Sequence, residues 1–310
     1  MRIAIIGQQD FGKAVLDAFV SRGDIVAGVF CAPEKPGAKP DPLAVAASAA
    51  AIPVYRLPSL KGEEASQTLA RLDVELGVMA YVLQFVPQEF VAVPRHGMIQ
   101  YHPSLLPRYR GPSSINWPII RGDDRTGLTI FRPTDGLDEG PIVLQREVPI
   151  GPDDTLGSVY FERLFPMGVA ALLEAADRVV SLRYDEVSQD ESLASYEGWC
   201  RTDEAHINWH NHVDTVYNLI RGCNPAPGAW TSFRGQKLQL FDARKHPFHR
   251  FADVKGALGT VTNVGPESIF ITAQGGQIEV LKLRYGEGKK IPAPQLCQEA
   301  GLTPGAVLGD

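Results

Sequence analysis

The chain is poor in the features that announce several large classes of function. It has four cysteines in 310 residues, Cys31, Cys200, Cys223 and Cys297, and no two of them form a C-x-x-C pair. Such spacing offers neither a structural zinc site nor a disulfide framework; reduced thiols in the cytoplasm are expected. Positive charge is in deficit, with 30 Lys and Arg against 36 Asp and Glu for a net −6. That balance suits poorly a protein whose main work is gripping nucleic acid. Apolar runs are short. None approaches the roughly 20 residues that a bilayer demands, so no membrane partner is expected. The opening Met1-Arg2-Ile3-Ala4-Ile5-Ile6-Gly7 is interrupted too soon for a secretory signal. Internal repeats and low-complexity segments are missing as well.

Two nucleotide motifs are nearly present and each lacks one residue. Gly7-Gln-Gln-Asp-Phe-Gly12-Lys13-Ala14 imitates a phosphate loop, but Ala14 has no hydroxyl for Mg²⁺. Gln9 stands where the dinucleotide fingerprint needs its second glycine, so a tight strand–helix turn is the expected reading. The histidines His96, His206, His210, His212, His246 and His249 have no metal-ligand spacing with acidic partners, and no metal is expected.

What remains is ordinary globular material, 44% hydrophobic and 21% charged, long enough for two domains. Residues 2–6 and 24–31 are apolar runs flanking a helical pattern at 12–20, a β-α-β opening that predicts a parallel sheet covered on both faces. A proline-rich loop follows at 32–42, then a helix at 43–51, a short strand at 52–55 and an apolar run at 76–83. Strands are predicted at 98–101, 127–131 and 142–148, the last two as an antiparallel excursion at the sheet edge, with a long helix at 158–180. The polar stretch 199–208 reads as a join. Beyond it, a helix at 213–221 and short strands at 237–241, 259–264, 268–273 and 277–283 suggest a small β-barrel.

The chemistry concentrates at residues 97–111 and 135–140. His102 falls where a strand ends and its loop begins, the edge at which open α/β sheets receive ligands. Asp138 lies in a glycine-bracketed loop, and a histidine oriented by a carboxylate moves protons near neutral pH. Gln84-Phe85-Val86-Pro87 follows another strand and is either a wall of the same cleft or a helix entry. Ser104 lacks a nucleophile elbow and is expected to shape its loop. Arg108 and Arg110 could meet an anionic ligand or lie on solvated surface.

Tyr101-His102-Pro103-Ser104-Leu105-Leu106-Pro107-Arg108, Gly111, Ile115-Asn116-Trp117 and Gly136-Leu137-Asp138-Glu139-Gly140 resemble the 10-formyltetrahydrofolate-dependent formyltransferases. Ile207-Asn208-Trp209, Ile220-Arg221-Gly222 and Pro227-Gly228-Ala229-Trp230 extend the resemblance into the tail, with particular likeness to the hydrolase domain of 10-formyltetrahydrofolate dehydrogenase. It implies an α/β fold: a Rossmann-like, mainly parallel catalytic domain at 1–203, then an OB-like β-barrel domain at 204–310. It implies His102 and Asp138 as catalytic residues, with Gln100 auxiliary. The cosubstrate 10-formyltetrahydrofolate would meet Gln84, Phe85, Leu105, Thr134, Asp135, Gly136, Leu137 and Gly140. The formyl group would leave to water or to an amine acceptor, with a carrier protein as a further possible partner.

Two departures qualify the match. Gln100 replaces the asparagine of the transferases. The 34–39 loop, Glu34-Lys35-Pro36-Gly37-Ala38-Lys39, has two lysines and no arginine where methionyl-tRNA formyltransferases carry a basic insertion. Phosphate contacts need several cations, so tRNA is the less favoured acceptor. A non-catalytic folate-binding or carrier-docking module is the alternative of a different class.

Overall fold

The computed structural model describes residues 1–34, 36–250, 253 and 256–309. Lys35, one of the two lysines counted in the 34–39 loop, lies outside the described residues. The chain forms two compact units, one of Met1–Gly111, Gly127–Val148 and Arg163–Tyr196, the other of Pro112–Thr126, Pro149–Glu162 and Glu197–Asp310.

The first unit is built on a seven-stranded sheet. Its strands are β1 (Arg2–Gly7), β2 (Ile25–Cys31), β3 (Val54–Arg56), β4 (Leu76–Ala80), β5 (Met98–His102), β6 (Arg125–Phe131) and β7 (Ile142–Pro149), in the order β3-β2-β1-β4-β5-β6-β7. The first five run parallel; β6 is antiparallel to β5, with His102 opposite Thr129. Both faces of β1 and β4 are buried, which explains their unbroken apolar runs. Gly7 lets β1 pass close to β4, since a Cβ there would lie 2.0 Å from the Ala80 carbonyl oxygen.

Helix Gln9–Arg22 then begins, and its Gln9 N–H donates to Asp41 Oδ2 at 2.9 Å. The other oxygen of Asp41 caps helix Pro42–Ala49 through Leu43 N–H at 2.9 Å. A protein carboxylate therefore already occupies the amide end that a phosphate would need.

Helical structure runs unbroken from Leu156 to Val180, with a π-helical turn at Tyr160–Leu164. By length and composition this helix is apolar enough to cross a membrane, although Glu162, Arg163, Glu174, Asp177 and Arg178 interrupt its apolar run. Its Phe165–Val180 part packs on β4 and β5, burying Gly168, Ala171, Leu172, Ala175, Ala176 and Val179. The stripe recurs every three to four residues, as expected of a helix covering a sheet.

The second unit holds β8 (Trp230–Phe233), β9 (Gln236–Pro247), β10 (Val261–Val264), β11 (Ile269–Ala273), β12 (Gly276–Tyr285) and β13 (Ile291–Pro292). The antiparallel order is β10-β11-β12-β9-β8, with β13 also on β12. β12 pairs with β9 along its whole length, while its other edge is shared by β11 and then β13. The sheet curls round a core of Val213, Val216, Tyr217, Ile220, Leu240, Ile271, Val280 and Leu283, among others. Alternating burial along β12 marks the side that faces this core.

Candidate active site

Gln100 and His102 lie two residues apart on β5, so their side chains share a face of the sheet. His102 is the strand's last residue and is buried. Its Nε2 is 2.8 Å from the Tyr109 carbonyl oxygen. A carbonyl only accepts, so Nε2 carries a hydrogen and donates it, and Nδ1 is left for proton traffic. Nδ1 stands 3.5 Å from Asp138 Oδ2. That is longer than a formed N–H···O bond and within ion-pair reach.

Asp138 belongs to the β6–β7 connection, where it takes a left-handed φ of 55°. It is buried, and its Oδ2 accepts from the Gly111 N–H at 2.9 Å. Oδ1 has no hydrogen-bond partner among the described residues. The Gln100 carboxamide, half-buried, likewise has none among them. Three polar functions are thus unspent on one part of the unit: His102 Nδ1, Asp138 Oδ1 and the Gln100 amide.

The loop after His102 is pinned from β6 and β7. Thr129 Oγ1, fully buried, donates to the Ser104 carbonyl at 2.7 Å and accepts from Leu106 N–H at 3.2 Å and from Gln145 Nε2 at 2.9 Å. The Ser104 hydroxyl donates to the Arg108 carbonyl at 2.7 Å, a loop-shaping role.

Arg110 is neither on solvated surface nor turned toward a ligand; it is fully buried. Its Nε and Nη2 donate to Gln189 Oε1 at 3.2 and 2.8 Å. Its Nη1 and Nη2 grip Glu191 bidentately at 2.9 and 2.6 Å, and Nη1 also reaches the Tyr196 hydroxyl at 2.5 Å. All five guanidinium hydrogens are thereby used. The bond to Glu191 raises the Arg110 pKa and, reciprocally, holds the Glu191 carboxyl below its ordinary range. Gln189 in turn donates through Nε2 to the Asp138 carbonyl at 2.8 Å and the Gly140 carbonyl at 2.7 Å. Arg110 adjoins Gly111, so this clamp ties both sides of the His102–Asp138 contact together.

Sequence reasoning did not find Gln189, Glu191 or Tyr196. They occupy an irregular stretch with a single 3₁₀ turn, Glu191–Leu193, without motif or periodicity.

The remaining predicted residues are dispersed in burial and role. Gln84, half-buried, donates through Nε2 to the Leu57 and Pro58 carbonyls at 3.0 and 3.2 Å, and Phe85 is exposed beneath the Lys61 ammonium. Their turn leads into helix Gln88–Val91, as the helix-entry reading has it. Leu105 is half-buried beside Gly127, where a Cβ would lie 2.5 Å from its Cδ2. Thr134, Asp135 and Leu137 are exposed, Gly136 half-buried and Gly140 buried. A Cβ on Gly140 would meet the Arg132 carbonyl oxygen at 1.6 Å, which only glycine avoids. Asn116 serves the second unit instead, donating to the Gly222 carbonyl at 2.9 Å. Among the described residues no three His, Cys, Asp or Glu side chains group as metal ligands.

Comparison with known proteins extends this geometry. Residues 1–175 match the formyl transferase family and residues 200–301 match the formyl transferase C-terminal domain. The human mitochondrial 10-formyltetrahydrofolate dehydrogenase is 38% identical over 306 residues, covering 95% of this chain and 33% of that protein. The chain therefore spans about a third of the length of such relatives. Methionyl-tRNA formyltransferase of Moorella thermoacetica is 32% identical over 314 residues, covering 100% of this chain and 99% of that protein. Among solved structures, HypX from Aquifex aeolicus in complex with tetrahydrofolic acid superposes with a TM-score of 0.69 at 18% identity, over 96% of this chain and 47% of that one. The sugar 3N-formyltransferase WlaRD does so with a TM-score of 0.68 at 18% identity, over 90% and 97%. At such identities these structures speak for the fold alone. The sequence matches go further, and by them the chain belongs to the formyl transferase family.

Proposed function

We propose that the protein removes the formyl group of 10-formyltetrahydrofolate, giving tetrahydrofolate, by hydrolysis or by transfer to an amine. The observation that carries this reading is the buried His102–Asp138 pair, with His102 Nδ1, Asp138 Oδ1 and the Gln100 amide unspent beside it. The relatives' names supply the donor, and the residues fit it. Exposed apolar Phe85 and Leu137 offer a surface for a flat heteroaromatic ring.

In the reaction, the nucleophile's oxygen or nitrogen bonds to the formyl carbon and the carbonyl π-pair moves onto oxygen. His102, protonated at Nδ1 as well as at Nε2, donates through Nδ1 to that oxyanion, and the Gln100 amide adds a second donor. Asp138 accepts the nucleophile's proton at Oδ1 while the Gly111 N–H steadies its other oxygen. Collapse breaks the bond from carbon to N10, which takes back from Asp138 the proton that came from the nucleophile. With water the products are formate and tetrahydrofolate; with an amine, a formamide and tetrahydrofolate.

The test is to follow tetrahydrofolate release from 10-formyltetrahydrofolate, first alone and then with amine acceptors including methionyl-tRNA. His102→Ala and Asp138→Asn serve as folded controls. Losing one oxyanion donor costs about 3 kcal/mol of barrier, so His102→Ala should fall by roughly a hundredfold, and Asp138→Asn, which loses the base, by roughly a hundredfold or more. Release without acceptor would identify water as the nucleophile, and release only with an amine would identify a transferase. Turnover in His102→Ala above about a tenth of wild type would sink the assignment.

A further inference from the structure

Arg221 lies on helix Val213–Gly222 and is 6% exposed. Its Nε–H donates to Asn218 Oδ1 at 2.8 Å, and its Nη1 donates to the carbonyls of Gly151 and Asp154 at 3.2 and 3.0 Å. Every one of these acceptors is neutral. The acids nearby are spent elsewhere: Asp153 Oδ1 accepts from the Tyr217 hydroxyl at 2.7 Å, and Asp154 from Gly151 N–H at 2.6 Å and the Ser158 hydroxyl at 2.8 Å. Nη2 has no hydrogen-bond partner among the described residues, nor does any carboxylate among them form an ion pair with this guanidinium. The contrast with Arg110, whose five hydrogens are all met and whose charge faces Glu191, is complete. Burial lowers the Arg221 pKa, and the Coulombic pull of Tyr217, Asp154 and Asp153, none of them in ion-pair contact with it, offsets that only in part.

Two cavities of the second unit share Arg221 as a wall. One, about 200 Å³, sets Arg221 and Arg244 against Asp153 and Asp242 and is balanced in charge. The other, about 560 Å³, is walled by Arg121, Arg221, Lys245, Asp214, Thr215 and Asn218; Arg121 is paired with Glu197 and Lys245 with Asp214, so the Arg221 guanidinium is the cation of that wall that has no carboxylate in ion-pair contact among the described residues. Lys245 already holds that aspartate at 2.5 Å. We propose that the larger cavity binds a phosphate-class oxyanion, free or as the phosphoryl group of a small ester. Arg221 Nη2 and the Thr215 hydroxyl donate hydrogen bonds to it, and the Lys245 ammonium, shared with Asp214, adds a second cation. The volume accommodates a small ester as well as the bare ion. The site lies wholly within the second unit and rests on no part of the formyl-transfer reading.

The experiment is calorimetric titration of the intact protein at low ionic strength, with inorganic phosphate and, separately, with AMP. Saturable one-to-one binding is expected, weakened about tenfold or more by Arg221→Lys and by Lys245→Ala, as follows from losing a charge-assisted hydrogen bond. AMP binding tighter than phosphate would mark an ester as the ligand, and equal binding the free ion. If Arg221→Lys fails to give a cooperative melt, Lys245→Ala and Thr215→Val carry the comparison. No saturable heat with either probe, or undiminished binding in the wall variants, would overturn the site.

Discussion

At the scale of single residues, Gln100 is the position where this chain parts from the transferases it resembles. Its amide shares a face with His102 and keeps both its N–H and its carbonyl unspent among the described residues. Leucine has nearly the same length and cannot donate, so Gln100→Leu removes the donor while keeping the packing between Met79 and Phe131, its sheet neighbours. If Gln100 donates only to the oxyanion, kcat should fall about tenfold with KM unchanged, because the lost bond exists only in the transition state. Steady-state kinetics of formyl release would show it. An unchanged kcat would leave His102 as the sole donor and reduce Gln100 to a filler of the strand.

At the scale of elements, the site depends on a loop held by side chains rather than by a sheet ladder. Gln189 spends one amide on two carbonyls of the Asp138 loop, and Arg110 fixes Gln189. Gln189→Ala leaves those acceptors and two guanidinium hydrogens unmet, at about 1–3 kcal/mol of stability. It should lower formyl release by about tenfold to a hundredfold through misplacement of Asp138, measured as kcat beside a thermal melt. The partner Glu191 gives a pH signature. Its carboxyl is held below its ordinary range by Arg110, so it stabilises the fold above the unfolded titration range. That contribution is lost as pH falls through the lowered folded value. The melting difference between wild type and Glu191→Gln should therefore be full at neutral pH and close in acid. A gap that stays constant with pH would show that the ion pair contributes nothing.

These same elements show what could be read in the sequence. The apolar runs of β1, β2 and β4 and the helical stripe of 165–180 were legible because burial imposes its period directly on residue type. His102 was legible because a strand end followed by Pro103 marks its own position. Arg110 was misread: an arginine between Tyr109 and Gly111 looks like surface, and its partners lie some eighty residues away in segments without any pattern. Nor could the sequence show that Asp41 closes the Gly7–Gly12 turn, since that contact joins separate loops.

At the scale of the whole molecule, the sequence invites a cut near residue 203, whereas the compact units interleave along the chain. Pro112–Thr126 and Pro149–Glu162 belong with the residues after 197. Helix Asn116–Arg121 buries Ile119 completely and packs on helix Val213–Gly222, and Asn116 donates to the carbonyls of Gly222 and Ala226 at 2.9 and 3.3 Å. The fragment 1–203 would keep this helix and lose helix Val213–Gly222, on which it packs. Ile119 alone represents about 1.5–3 kcal/mol of apolar burial, and the Asn116 amide would lose both its acceptors. The fragment should accordingly bind a hydrophobic dye and melt broadly, below the full chain, while the first-unit sheet keeps its far-ultraviolet signature. A sharp melt at the full-chain temperature without dye binding would mean that residues 112–126 find another partner within 1–203. The unit boundaries drawn from packing would then have to give way to the boundary read from the sequence.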